Sequence, residues 1–315
     1  MIRQDGICRT IVKIIRLGRL RFVAAGFLLY TAGALLAAIS IAKLDMLKYL
    51  LGYSILFTAQ LSVSYSNDYF DFEADKLNKP RVFSGGSGIL QENPGLRNFS
   101  RWFSVSLMVL SVLLSFIFVR IFSFSLIFVL FVMTVNLLGW FYSAPPVKFS
   151  YRGLGEVIIL TIIGFVLPGS GYFMIKESID RPFYIFMAIF GIYGLYFILN
   201  VQIPDIEADI LAKKKTVASY LGSKFSFVLT GFLALIGTSY LLAIPIFNAL
   251  PSTINFRLIG LVSMVPLITG FMGCVLQTKF RRQVFIFTNL NVLSLAVLLS
   301  FVDCYFLFLL LVNGK

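Results

Sequence analysis

The chain reads as long, unbroken apolar runs separated by short polar stretches. Candidate runs lie near 22–42, 47–66, 102–119, 122–142, 154–175, 183–203, 225–247, 256–276 and 285–312. Each approaches the roughly 20 apolar residues that a helix needs to cross a hydrocarbon core. The apolar/polar alternation of a β-barrel is missing from them. The pattern therefore predicts an all-α integral membrane protein with about nine transmembrane helices. Ahead of the first run, residues 1–21 carry Arg3, Arg9, Lys13, Arg16, Arg19 and Arg21 among Ile, Val and Leu. Charges at that spacing suit a helix lying at the membrane surface. A short apolar core with a small-residue cleavage site is not found there, so no cleaved signal peptide is expected. Arg16 or Arg19, at the mouth of the first span, stands where it can reach into a site on that face.

Composition supports the same class. Hydrophobic residues make up 59% and charged residues 13% of the chain, and mean hydropathy is +0.92, against about 25% charged residues in soluble domains. The net charge of +13 would suit nucleic acid, but the basic residues sit mostly at span ends. Twenty of the 27 Lys and Arg flank one side of the predicted bundle and seven the other. Positive-inside topology and attraction to anionic lipid explain this, with the richer side facing the cytoplasm. The sequence holds no histidine, which removes His-based acid–base chemistry and His-ligated zinc. Cys8, Cys274 and Cys304 show no paired spacing and imply no disulfide framework.

Acidic residues are scarce, and their distribution points to chemistry. Half of the fourteen Asp and Glu fall in two short segments that each close an apolar run: Asn67-Asp68-Tyr69-Phe70-Asp71-Phe72-Glu73-Ala74-Asp75 and Asp205-Ile206-Glu207-Ala208-Asp209. At about 100° per residue, Asn67, Asp71 and Asp75 lie within about 80° of one another on a helix, with Asp68 at the edge and Glu73 elsewhere. Carboxylates so close repel unless a cation sits between them. Oxygen ligands without His or Cys suit a hard cation, Mg²⁺ or Ca²⁺. Each segment is followed by basic residues. The first leads into Lys76-Leu77-Asn78-Lys79-Pro80-Arg81-Val82-Phe83-Ser84-Gly85-Gly86, whose cations and backbone N–H groups can wrap an anion, Lys79 and Arg81 among them. The second leads into Lys213-Lys214-Lys215. Between them, Tyr142-Ser143-Ala144-Pro145-Pro146-Val147-Lys148 ends a span at a Pro-Pro pair, leaving Tyr142, Ser143 and Lys148 at the same mouth. Asp303, deep in the last run, is expected to be a buried hydrogen-bonded acid or a snorkelling one. Two acidic segments facing each other across a cation-lined, membrane-level pocket fit a diphosphate bridged by divalent metal, and an apolar bundle fits a long hydrocarbon chain.

Asn67-Asp68-x-x-Asp71-x-x-x-Asp75 and Asp205-x-x-x-Asp209, with Tyr142-Ser143-Ala144-Pro145-Pro146 between them, resemble the UbiA superfamily of intramembrane prenyltransferases over roughly the first seven spans. The resemblance implies a single domain over 1–315, with nine helices around a central cavity and cytoplasmic caps from the 2–3 and 6–7 loops. It implies Mg²⁺ joining a prenyl diphosphate to Asn67, Asp68, Asp71, Asp75, Asp205 and Asp209. Asp71, Asp75, Asp205, Asp209 and Tyr142 are then the catalytic set. Lys148 and Lys214 would contact diphosphate, Ser143 would border the reacting carbon, and Arg16 would contact substrate. Expected partners are a prenyl diphosphate, a small lipid-precursor acceptor and membrane lipid, with no nucleic acid, in a prokaryotic cell membrane with the site facing the cytoplasm. Asn67-Asp68-Tyr69-Phe70-Asp71-Phe72 and Gly153-Leu154-Gly155-Glu156 are similar to 1,4-dihydroxy-2-naphthoate prenyltransferases. The Tyr-Ser-Ala-Pro-Pro segment is closer to archaeal ether-lipid and hydroxybenzoate enzymes. Geranylgeranyl transfer to a glycerol phosphate, terpene cyclisation and, remotely, cation transport are the alternatives.

Overall fold

The computed structural model describes residues 2–78, 82–247, 250–276 and 281–313, and among them it contains helices and no strand. A surface helix α1 (Ile2–Leu17) leads into α2 (Leu20–Ile41), α3 (Met46–Phe70) and two short helices, α4 (Phe72–Asp75) and α5 (Ile89–Glu92). Next come α6 (Arg97–Phe122), α7 (Ile127–Ser143), and α8 (Gly155–Thr161) joined through a π turn to α9 (Leu167–Lys176). The remainder is α10 (Arg181–Gln202), α11 (Ile206–Leu211), α12 (Val217–Ala243), α13 (Phe256–Val262), α14 (Met264–Val275) and α15 (Arg281–Asn313).

Seven helical units among the described residues are long and apolar enough to span a membrane. They contain α2, α6, α8–α9, α10, α12, α13–α14 and α15. The other two predicted runs also form helices packed among them, α3 and α7. Lys48, Gln60 and several serines dilute the apolar character of α3, and α7 is only 17 residues long. The chain is an integral membrane protein. Its outward faces carry large exposed apolar side chains, such as Leu113, Ile127, Leu130 and Leu311, which only a lipid environment makes favourable.

Lipid gives helices no hydrophobic reason to associate, so packing and hydrogen bonds do the work. Along α6, Ser100, Ser104 and Ser111 donate to the α3 carbonyls of Tyr65, Ser62 and Ile55 at 2.9, 2.8 and 2.9 Å. Helices α2 and α9 cross at glycines. A Cβ on Gly33 would overlap the Pro168 carbonyl oxygen, and one on Gly171 the Tyr30 carbonyl oxygen. The π turn Ile162–Val166 lies just before Pro168, whose missing N–H leaves no donor for the ordinary helical ladder. Finally α15 packs against α2, so the last span returns to the first and encloses an interior.

Residues 1–21 form two elements rather than one. Helix α1 stops at Leu17, and Arg19 takes a left-handed conformation (φ 45°) to start α2. Contacts hold α1 to the bundle: Tyr65 Oη donates to the Ile14 carbonyl at 2.8 Å, and Lys13 Nζ donates to Asn93 Oδ1 at 2.6 Å. Asp303 departs from expectation. It is buried, but neither carboxyl oxygen has a hydrogen-bond partner among the described residues.

The glycine crossing yields a stability prediction. Gly171→Ala should cost about 1–3 kcal/mol through overpacking against the backbone of α2, lowering the melting temperature in detergent. Gly95→Ala, where a Cβ meets nothing within 4 Å, should leave it unchanged.

Candidate active site

The α3 helix bends where its acidic segment begins. Asp71 leaves helical geometry (φ −85°, ψ 7°), and α4 resumes at Phe72. The four-residue spacing survives the break, because Asp71 N–H donates to the Asn67 carbonyl and Asp75 N–H to the Asp71 carbonyl, both at 2.8 Å. Asn67, Asp68, Asp71 and Asp75 therefore line the same cavity, of about 150 Å³. On the facing side, α10 ends at Gln202. Pro204 sits in a 3₁₀ turn, where a missing N–H is tolerated, and α11 follows. Asp205 and Asp209 complete the wall, with Arg19, Tyr142 and Lys214.

Hydrogen bonds join the two halves. Asp71 is the hub: Lys214 Nζ and Ser143 Oγ donate to its Oδ2 at 3.0 and 3.1 Å, and Tyr151 Oη to its Oδ1 at 2.8 Å. Asp205 accepts from Asn78 Nδ2 and from Gly85 N–H, both at 2.8 Å, so the loop after α4 closes onto α11. Arg19 donates to the Gly85 carbonyl at 3.1 Å and stands 3.9 Å from Asp68, which also accepts from Ser87 N–H at 3.3 Å. Thr216 donates to Asp209 at 3.3 Å while capping α12. Behind this wall, buried Glu156 accepts from Gln202 Nε2 at 2.8 Å and from Val217 N–H at 2.7 Å, tying α8 to the turn that carries Lys214.

The electrostatics follow from burial. Burial alone would lower the Lys214 ammonium, but Asp71, Tyr151, Asp209 and Asp75 outweigh it and hold its pKa above the ordinary range. Burial and then Asp71 raise the Tyr151 phenol, so it stays a proton donor. The Asp75 carboxyl is pushed up to about 7, first by burial and next by Asp71, with Lys214 opposing. It has no side-chain partner among the described residues, and a Cβ on Gly86 would strike it.

Five Asp carboxyls and Asn67 thus line the cavity, and the amide oxygen of Asn67 is buried without a partner among the described residues. That donor set fits hard divalent cations. Among the described residues no three acidic groups converge on one point; the carboxylates ring a space instead.

Several sequence expectations change. Arg16 is exposed on α1 and does not line the cavity; the neighbouring turn delivers Arg19 instead, because the chain reverses hand between α1 and α2. Lys148 also lies outside the lining, its ammonium 5.0 Å from the centre of the Tyr151 ring. Ser143 is buried behind Asp71 rather than open to the cavity. Lys79 and Arg81 lie outside the described residues. Glu73 is turned outward and pairs with Lys76 at 2.9 Å. Tyr151, Asn78 and Thr216 went unread. Each is an isolated polar residue in a connection, and the only available signal was its closeness to the Pro-Pro stop or an acidic segment.

The family model described as UbiA prenyltransferase family matches residues 26–291. The chain is 28% identical over 200 residues to a digeranylgeranylglyceryl phosphate synthase of Thermococcus kodakarensis, covering 57% of this chain and 64% of that protein. It is 29% identical over 87 residues to a 2-carboxy-1,4-naphthoquinone phytyltransferase of Synechocystis, 28% of each chain. These matches span less than two thirds of either curated relative. Its fold is similar to that of a UbiA homologue from Aeropyrum pernix (TM-score 0.64, 14% identity, 87% and 95% of the two chains). It is also similar to that of an Archaeoglobus fulgidus UbiA homologue bound to DMAPP and Mg²⁺ (TM-score 0.61, 16% identity, 91% and 99%).

The raised Asp75 carboxyl gives a pH test. Without a cation, the protonated form suits the fold, so its contribution to stability is lost as pH rises from about 4 to about 7. A cation needs the ionised form, so its stabilising effect grows across that window. Melting temperatures with EDTA and with MgCl₂ should differ more at about pH 8 than at about pH 5. Equal increments at both would count against cation binding here.

Proposed function

The chain belongs to the UbiA prenyltransferase family, and from that premise we propose that it ionises an allylic prenyl diphosphate in the acidic cavity and delivers the carbocation to a lipid-precursor acceptor. One observation carries this reading. The charged cavity adjoins an apolar tunnel of about 560 Å³, and Arg19, Asn67, Tyr142, Ile198 and Val201 line both. A diphosphate fits the first space and a hydrocarbon tail the second.

Asn67, Asp68, Asp71 and Asp75 on one wall and Asp205 and Asp209 on the other would hold Mg²⁺, which would supply positive charge to stabilise the departing diphosphate. The protein's own side chains do the rest. Lys214 supplies a fixed positive charge beside Asp71, aimed where negative charge grows on the leaving group. Tyr151 remains protonated and can donate to a diphosphate oxygen. Arg19 covers the opposite rim. Tyr142, where cavity and tunnel meet, presents a π face to the carbon left cationic when the C–O bond breaks. The apolar tunnel keeps water from that cation, so the acceptor is the nucleophile that captures it and then loses a proton.

For the acceptor, the motif likeness supports an aromatic quinone precursor such as 1,4-dihydroxy-2-naphthoate. A second reading, geranylgeranyl transfer to a glycerol phosphate lipid, is favoured by the longer match to the Thermococcus synthase. Arg19 and Arg21 at the tunnel rim would suit the phosphate or carboxylate of either. The bias of Lys and Arg supports a cytoplasm-facing site.

Purified protein incubated with geranylgeranyl diphosphate, Mg²⁺ and a panel containing both acceptor classes should release diphosphate and give a prenylated product by mass spectrometry. No diphosphate release with any acceptor would sink the reading. Asp71→Ala or Asp205→Ala should lower kcat by about 10² or more, and Tyr151→Phe by about tenfold, as expected for lost charge stabilisation.

A further inference from the structure

The wall of the apolar tunnel contains a side-chain amide that the proposed reaction does not use. Gln60 lies on α3 seven residues before Asn67, and both line the tunnel, with Ser64 between them. The spacing i, i+4, i+7 puts all three on one helix face. At 1.5 Å rise per residue, Gln60 stands about 10 Å deeper than Asn67. Its amide oxygen is buried without a hydrogen-bond partner, and no side-chain hydrogen bond to the amide is present among the described residues. Ser64 bonds only to the Gln60 backbone carbonyl, at 3.3 Å.

The surroundings hold this amide in place rather than disperse it. Gly26 of α2 lies directly against it, and a Cβ there would overlap the amide nitrogen and oxygen. Two helices thus cooperate to keep an unsatisfied amide against an apolar space. Leaving such an oxygen unpaired is costly, and an orphaned acceptor with an amide N–H₂ beside it calls for a ligand that donates to the first and accepts from the second. A prenyl tail has neither. The other reactant, which must carry a nucleophile, does.

We propose that the Gln60 amide binds the hydroxyl-bearing head of the acceptor. The assignment rests on the prenyl-transfer reading and makes Gln60 a specificity residue for the second substrate. A hydroxyl donates to the amide oxygen, and an adjacent oxygen of the acceptor accepts from the amide nitrogen. Sites built this way reject analogues without the polar partner far more strongly than apolar pockets reject an extra methylene. An aromatic diol acid and a glycerol phosphate lipid share this chemistry.

Kinetics separate the substrates. With each acceptor that wild type turns over, Gln60→Leu should raise the acceptor KM roughly tenfold, the worth of one or two lost hydrogen bonds. The KM for geranylgeranyl diphosphate should stay within about twofold, since no diphosphate contact is touched. Gly26→Ala, which displaces the amide from the opposite helix, should reproduce the same split. The melting temperature of Gln60→Leu should hold or rise, because an orphaned polar group is replaced by an apolar one; a purely structural role predicts a fall.

1,4-Dihydroxy-2-naphthoate and a geranylgeranylglyceryl phosphate are run as separate arms, so the affected arm identifies the head group. Binding of each acceptor is also read by thermal shift in the presence of an unreactive geranylgeranyl thiolodiphosphate. Loss of that shift in Gln60→Leu supports the assignment even where no product forms, in which case the prenyl-transfer reading fails alone. An unchanged acceptor KM, a change confined to the prenyl diphosphate KM, or equal acceptor-induced shifts in wild type and Gln60→Leu overturns it.

Discussion

Five Asp carboxyls and the Asn67 amide cannot share a water-poor cavity unless their charge is balanced. The rest of this structure is arranged around that constraint. Asp71 sits at its centre, holding the Lys214 ammonium at 3.0 Å with Tyr151 and Ser143 on its remaining sites. Lys214 and Arg19 together do not balance five carboxyls. Burial and Asp71 push the Asp75 carboxyl up to about 7, and Asn67 keeps a buried oxygen unpaired. A half-balanced cavity of this kind is a receptor for divalent cations and a diphosphate, not a stable ion-pair network.

The fold serves the same constraint from outside. Spans α3 and α10 carry the two acidic segments, and their caps are latched by the bonds of Asp205 to Asn78 and Gly85. Glu156 braces the second segment from behind, linking α8, α10 and the start of α12. Below the charged cavity, the tunnel wall is mainly apolar, with the Gln60, Ser64 and Asn67 face of α3 among its few polar groups. This steep change in polarity between adjoining spaces lets an amphiphilic substrate bind in a single orientation, because reversing it would put a diphosphate in the tunnel. Serines and glycines between helices keep the bundle tight without hydrophobic driving force, as seen at Ser104 and Gly171.

The amino-acid sequence by itself determined the class, the helical runs and the two acidic segments. These are local properties: apolar length sets a span, and four-residue spacing sets a helix face. The bend at Asp71 did not upset that reading because backbone bonds kept the spacing across it. The tertiary structure decided which polar residues share the cavity. Arg19 rather than Arg16 lines it, because one left-handed residue turns the chain between α1 and α2. Tyr151 reaches Asp71 over 80 positions of sequence, and Lys148 is left behind its ring. Gln60 is one of several polar residues in its span, and only the facing Gly26 gives it a fixed place in the tunnel wall. Such contacts join residues that are distant in sequence and carry no periodicity of their own, so they exist only once the helices have packed.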